Sequence, residues 1–154
     1  MENSNNEMIT IEDVKNRVYI IRDQQVMLDS DLAEIYGYEL KAMNQQVKRN
    51  IERFPEDFMF QLDKEEVPEE YLKSQIVTLN VSNNMRGMHI KKMPFAFTEQ
   101  GIYMLATVLR GELAIQQSIF IMRAFKEMRH YIKQNQHFKN GLSKWSFVEK
   151  QVKY

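Results

Sequence analysis

Gly37 separates two short segments in which apolar residues recur at helical spacing, and Pro55 closes the second of them. Few backbones satisfy that punctuation. A glycine just past a helix end takes the left-handed conformation without steric cost, and a proline disfavours helical geometry in the residue before it. The first segment, with Leu32, Ala33, Ile35 and Tyr36, is therefore expected to end at Gly37, and Asp29, Ser30 and Asp31 to offer N-cap oxygens at its start. The second should begin near Glu39 and reach Ile51 or Arg53, its apolar positions Leu40, Met43, Val47 and Ile51 lying three and four residues apart. Two short helices about a glycine turn match the helix-turn-helix scheme, in which the second helix enters the major groove.

At about 100° per residue, Lys41, Ala42, Gln45, Arg49 and Glu52 fall opposite the apolar stripe, flanked by Gln46 and Lys48. Lysine and arginine suit phosphate, while the forked donors of glutamine and arginine can read adenine and guanine edges. The same composition also describes the solvent face of an ordinary amphipathic helix, so pattern alone leaves both readings open. Asn44 sits at the edge of the stripe and is expected to hydrogen-bond backbone rather than a base.

The rest of the chain reads as one domain over residues 9–136, between a disordered leader (1–8) and a basic tail (137–154). Val18–Ile21 and residues 26–28 are short β-favouring runs joined through Asp23 and Gln24, a candidate hairpin. Residues 58–62 read as a strand and 65–73 as a short surface helix. Residues 75–81 and 89–97, flanking the turn 83–87, are expected to form a second hairpin. In 53–58 the expected corner has Pro55 stopping the helix while Phe54 and Phe58 bury. Thr98 should cap a helix whose stretch 102–109 is apolar nearly all round, hence buried, with Gly111 closing it. A long helix over about 112–136 follows, with Ile115, Ile119, Met122, Phe125, Met128 and Ile132 on one expected stripe. In the tail, Trp145, Phe147, Val148 and Val152 could dock on the core or on a second copy. The class is α+β: mainly helical, with a helix-turn-helix-like element and short antiparallel strands.

Composition narrows the function. With 154 residues, 44% of them hydrophobic, the chain can bury a core of ordinary proportion, roughly 70% of its unfolded surface. The absence of cysteine excludes disulfides and thiolate metal sites. The polar, acidic start differs from a signal peptide, and the longest apolar run is far short of the roughly 20 residues of a bilayer span, so no membrane partner and a cytoplasmic location are expected. His89, His130 and His137 lack metal-ligand spacing, Ser30, Ser74 and Ser118 lack a nucleophile elbow, and no glycine-rich phosphate loop occurs. No enzyme activity, metal or cofactor is expected.

The 21 bases and 21 acids cancel, yet they are segregated. Residues 1–34 are acidic, whereas 86–92 carry Arg86, Lys91 and Lys92 without an acid, and 123–154 are basic. Such segregation is compatible with one face meeting phosphate. Arg86, Lys91 and Lys92 flank an asparagine-rich turn and form either a wing against the duplex or a plain exposed loop.

Four stretches carry a family resemblance: Val26-Met27-Leu28-Asp29-Ser30-Asp31-Leu32-Ala33-Glu34-Ile35-Tyr36-Gly37, Val47-Lys48-Arg49-Asn50, Arg53-Phe54-Pro55-Glu56-Asp57-Phe58-Met59-Phe60-Gln61-Leu62, and Pro94-Phe95-Ala96-Phe97-Thr98-Glu99-Gln100-Gly101. Together, over residues 9–131, the chain resembles the phage domain named after open reading frame six, a relative of the KilA-N and Bro-N groups. The resemblance implies a DNA-binding module of phage or prophage regulators and antirepressors. It carries over the helix-turn-helix-like element, not a contact list. The DNA-binding candidates, read from the residues, are Lys41, Gln45, Lys48, Arg49, Arg86, Lys91 and Lys92. The expected partner is double-stranded DNA, bound as a homodimer because one short reading helix gives little affinity alone. The alternative is a protein-interaction module that binds another regulator.

Overall fold

The computed structural model describes residues 9–79 and 92–136. The expected leader, the turn 83–87 with Arg86, Lys91, and the tail 137–154 lie outside the described residues.

A five-residue helix, α1 (Ile11–Lys15), opens the fold, held by a reciprocal capping box. The Thr10 hydroxyl accepts from the Asp13 N–H at 3.0 Å and the Asp13 carboxylate accepts from the Thr10 N–H at 3.1 Å. The T-x-x-D spacing was the sequence signal for this helix, which no expectation covered. Strands β1 (Val18–Ile21) and β2 (Gln24–Leu28) then pair antiparallel. Their turn is Arg22-Asp23 rather than Asp23-Gln24. Both residues take positive φ, 56° and 62°, as a two-residue hairpin turn of matching twist requires. Arg22 is held there by Glu66, at 2.8 Å, and by the Phe60 ring beneath its guanidinium.

Helices α2 (Asp29–Tyr36) and α3 (Leu40–Arg49) follow, then a 3₁₀ turn (Ile51–Arg53), strand β3 (Met59–Gln61), a second 3₁₀ turn (Lys64–Glu66) and helix α4 (Glu69–Leu79). Strand β4 (Phe95–Thr98), helix α5 (Glu99–Leu109) and the long α6 (Gly111–Gln136) complete the described chain. The strands form one antiparallel sheet in the order β1-β2-β4-β3. The expected hairpin between 75–81 and 89–97 is not formed: 75–79 are helical in α4, and β4 inserts between β2 and β3. The β-favouring residues of 75–79 lost to the helix begun by Glu69 and Glu70, acids suited to a first turn.

Register sorts the side chains by pleat. Val18, Met27, Phe97 and Met59 stand in one row across all four strands, facing the main core with Leu32, Met43, Ile102, Ile121 and Phe125 from the helices. Phe54 meets Phe97 edge to face at 5.9 Å, a pairing worth about 0.5–1.5 kcal/mol beyond area burial. The opposite row, with Tyr19, Val26, Leu28, Ala96 and Phe60, is covered by Leu62, Val67 and Tyr71. The sheet therefore lies between a thick helical layer and a thin one that includes the start of α4.

Three expectations for α5 and α6 need correction. Helix α5 is not buried all round: Ile102, Leu105, Val108 and Leu109 face the core, but Tyr103 is 67% exposed. It ends at Arg110, at φ 59°, and Gly111 begins the next helix. On α6, Ala114, Ile121, Ala124, Phe125 and Met128 face the core, while Ile115 and Ile119 are exposed. The expected stripe mixes two faces, because Ile115 and Phe125 lie about 80° apart on a wheel of 100° per residue.

Candidate nucleic-acid interface

The turn between α2 and α3 is rigid for backbone reasons. Gly37 has φ +72°, its N–H donates to the Glu34 carbonyl at 3.2 Å, and the Tyr38 N–H donates to Ala33 at 2.8 Å. That pair of bonds is the Schellman closure. Side chains then fasten it to the distal helices. The Tyr36 and Ser118 hydroxyls lie 2.6 Å apart, the Gln117 amide donates to the Ile35 carbonyl at 3.0 Å, and the Tyr38 hydroxyl donates to the Leu109 carbonyl at 3.3 Å. Buried Leu32, Ala33, Ile35 and Tyr36 face the core as expected.

The start of α2 departs from expectation. Its N-cap is Leu28, which provides no side-chain cap, and Asp29 and Asp31 lie within the helix, buried. The Asp29 carboxylate accepts from the Phe95 N–H of β4 at 3.2 Å. Burial pushes its pKa up, opposed by the Phe95 and Ser30 N–H groups, the Asn44 amide and the Lys92 charge. The Asn44 side chain of α3 thus stands near enough to the α2 carboxylate to favour its charged form. Asp31 lies 3.7 Å from Arg17, which also pairs with Glu34 at 2.6 Å. Burial drives the Asp31 carboxyl up to about 7, with Arg17 pulling it back.

Helix α3 is anchored on one side only, by Met43 and Val47. Leu40 and Ile51, expected on the buried stripe, are 39% and 52% exposed: the core does not reach the helix start, and Ile51 belongs to the 3₁₀ turn. Lys41, Gln45, Lys48 and Arg49 are all exposed. Among the described residues, none of the three cations on this face joins an ion pair, whereas Lys15, Arg17, Arg22 and Arg129 each bind an acid. No acid occurs between Leu40 and Arg49; Glu39 and Glu52 flank the face, both exposed. Of the three candidates from the 86–92 segment, only Lys92 is described. It is exposed and close enough to act on Asp29, which brings it beside the α2–α3 pair.

Gly101 fixes how β3 approaches α5. A Cβ there would stand 2.0 Å from the Phe58 carbonyl oxygen, while the Thr98 hydroxyl caps α5 at the Gly101 N–H and bonds the Asp57 carbonyl. The stretch 94–101 is thus a structural junction. Among the described residues no group of three His, Cys, Asp or Glu side chains is placed to hold a metal ion, and no helix is long and apolar enough to cross a membrane.

An antiparallel sheet carrying a two-helix element, with a cationic face that forms no ion pair among the described residues, defines an α+β domain. The ORF6N domain model matches residues 16–108, which include α2, α3, the whole sheet and most of α5. The chain belongs to the ORF6N domain family. Searches of curated proteins and of solved structures gave no match.

Proposed function

We propose that the chain is a double-stranded DNA-binding module of a phage-type transcriptional regulator or antirepressor, with α3 as the reading helix. The observation that carries this reading is the α3 face. Lys41, Gln45, Lys48 and Arg49 stand exposed, with no acid in the helix to neutralise them. They ride on a helix whose entry is locked by the Gly37 turn. Lysine and arginine supply phosphate contacts, and Gln45, together with Arg49, has the donor geometry for base edges. Lys92 adds a cation beside the same pair. The module works in the cell interior and needs no cofactor.

Titration of a random duplex with salt tests the proposal. Phosphate neutralisation releases counterions, so affinity should fall with a log–log slope of about 0.9 per phosphate contacted. The double substitution Lys48→Ala/Arg49→Ala should abolish most of that binding. A wild type without salt-dependent binding refutes it.

A second reading, a module that binds another regulator without touching DNA, draws on a different surface. Tyr103, Ile115 and Ile119 are exposed together on α5 and α6, and contiguous exposed apolar side chains commonly mark protein contacts.

A further inference from the structure

We infer that the outer faces of α5 and α6 pair with a second copy of this chain, with two α6 helices running antiparallel across a two-fold axis at Ile119. Tyr103, Ile115 and Ile119 are 67%, 58% and 44% exposed, and with Met122 they line a groove of about 650 Å³. The core side of α6 is already occupied by Ile121, Phe125 and Met128, so this second apolar face has no use within the described chain.

Two features select a second copy as its occupant. The first is periodicity. Glu112, Ile115, Ile119, Met122 and Lys126 follow one another at intervals of three and four, the spacing of a seam between paired helices. The second is charge. Glu112 and Lys126 close the two ends of this seam, both exposed and neither in an ion pair among the described residues. Of the other charged side chains on α6, Glu127 binds Lys15 and Arg129 binds Glu99, while Arg123, which lines the same groove, lies over the Phe120 ring. An antiparallel pair centred on Ile119 sets Glu112 opposite the partner's Lys126, twice by symmetry, with Ile119 against its own copy. A parallel pair would set like against like. Such an isologous contact is self-complementary, as a two-fold dimer demands.

The seam from Glu112 to Lys126 is only about 21 Å long at 1.5 Å per residue. Against a standard interface of about 800 Å² per partner, dissociation in the micromolar range is expected. Two paired copies would present two α3 helices, which suits recognition of two half-sites. The pairing does not rest on the DNA reading, and its test is made in DNA-free buffer.

The chain has no cysteine, so Ile119→Cys introduces the single thiol on the axis. Mild oxidation of the full chain should convert most of it to a disulfide-linked dimer, while Gln45→Cys, on the DNA-facing helix, should stay largely monomeric. Sedimentation of wild type at high micromolar concentration should show dimer. Glu112→Lys and Lys126→Glu should each weaken association several-fold, and the double reversal should restore it; both are surface changes that leave the core intact. A monomeric wild type, an Ile119→Cys chain that crosslinks no better than the α3 control, or a double reversal no better than either single change would overturn the pairing. A monomer whose α3 variants still lose DNA would do so while leaving the DNA reading intact. A dimer without DNA binding would do the reverse.

Discussion

The carbonyl oxygen of Phe58 occupies the space where a side chain on Gly101 would begin, 2.0 Å from an ideal Cβ. Gly37 is different: it needs its positive φ, but a Cβ there meets only the Leu113 side chain at 3.4 Å. The two glycines therefore separate two causes of intolerance. Gly37→Ala should cost about 1–2 kcal/mol, the penalty of left-handed backbone for an L-residue. Gly101→Ala should cost at least about 3 kcal/mol, the upper end of overpacking, because backbone must move. Urea melts of both variants measure the order; equal losses would contradict the tight junction.

Removing the Tyr36 hydroxyl isolates the bond to Ser118 that ties the end of α2 to α6. Tyr36→Phe keeps the buried ring and should lower stability by about 1 kcal/mol, a typical net hydrogen bond. An unchanged melt would mean that water replaces the phenol without loss.

Asp31 predicts a pH dependence of definite sign. Its folded carboxyl titrates near 7, raised from 3.8 by burial. Between those values the folded chain holds a proton that the unfolded chain has released, so this group's contribution to stability falls as pH rises through the window and levels off above it. At about 1.4 kcal/mol per pKa unit, the effect is bounded at a few kcal/mol. Asp31→Asn should therefore gain on wild type from about pH 4 to about pH 8. A difference that is flat with pH, or that shrinks, would show the carboxyl ionised throughout.

Gln45 and Lys48 should fail in different ways. Lys48→Ala should weaken binding to all duplexes alike and lower the salt slope by about one. Gln45→Ala should relax preference at one base position, by about 1–3 kcal/mol if the contact is bidentate, with the slope unchanged. Both side chains are exposed, so melting temperatures should match wild type. Binding by the double variant as tight as wild type would remove α3 as the reader.

What could be read beforehand follows from the range of the interactions involved. The Gly37 turn, the Met43 and Val47 anchors and the Thr98 cap announce themselves within a few residues, and the structure has them where the sequence puts them. The cationic face of α3 was legible for the same reason, since exposure opposite an apolar pair is a local property. Asp29 and Asp31 were misread as caps because their burial depends on Phe95 and Arg17, which local pattern does not bring near. The partner of β4 was missed likewise, because strand pairing is decided by the whole sheet. The two faces of α6 are not separable from apolar spacing alone, because steps of three and four residues drift around a helix by about 80° over the ten residues from Ile115 to Phe125.

The central place of β4 in the sheet bears on the order in which the chain can fold. It arrives after the other three strands, yet both β2 and β3 hydrogen-bond to it, and the buried Asp29 receives its N–H donor from a residue 66 positions later. Until then β3 has no neighbour, and the start of α2 holds a carboxylate without that partner. The hairpin and the α2–α3 pair can form early from local contacts. Closure of the sheet must await a long loop and its entropic cost. A nascent chain ending before residue 95 should remain a loosely tethered hairpin and helix pair, open to proteolysis, and acquire its cooperative unfolding only when this last strand slides into the gap.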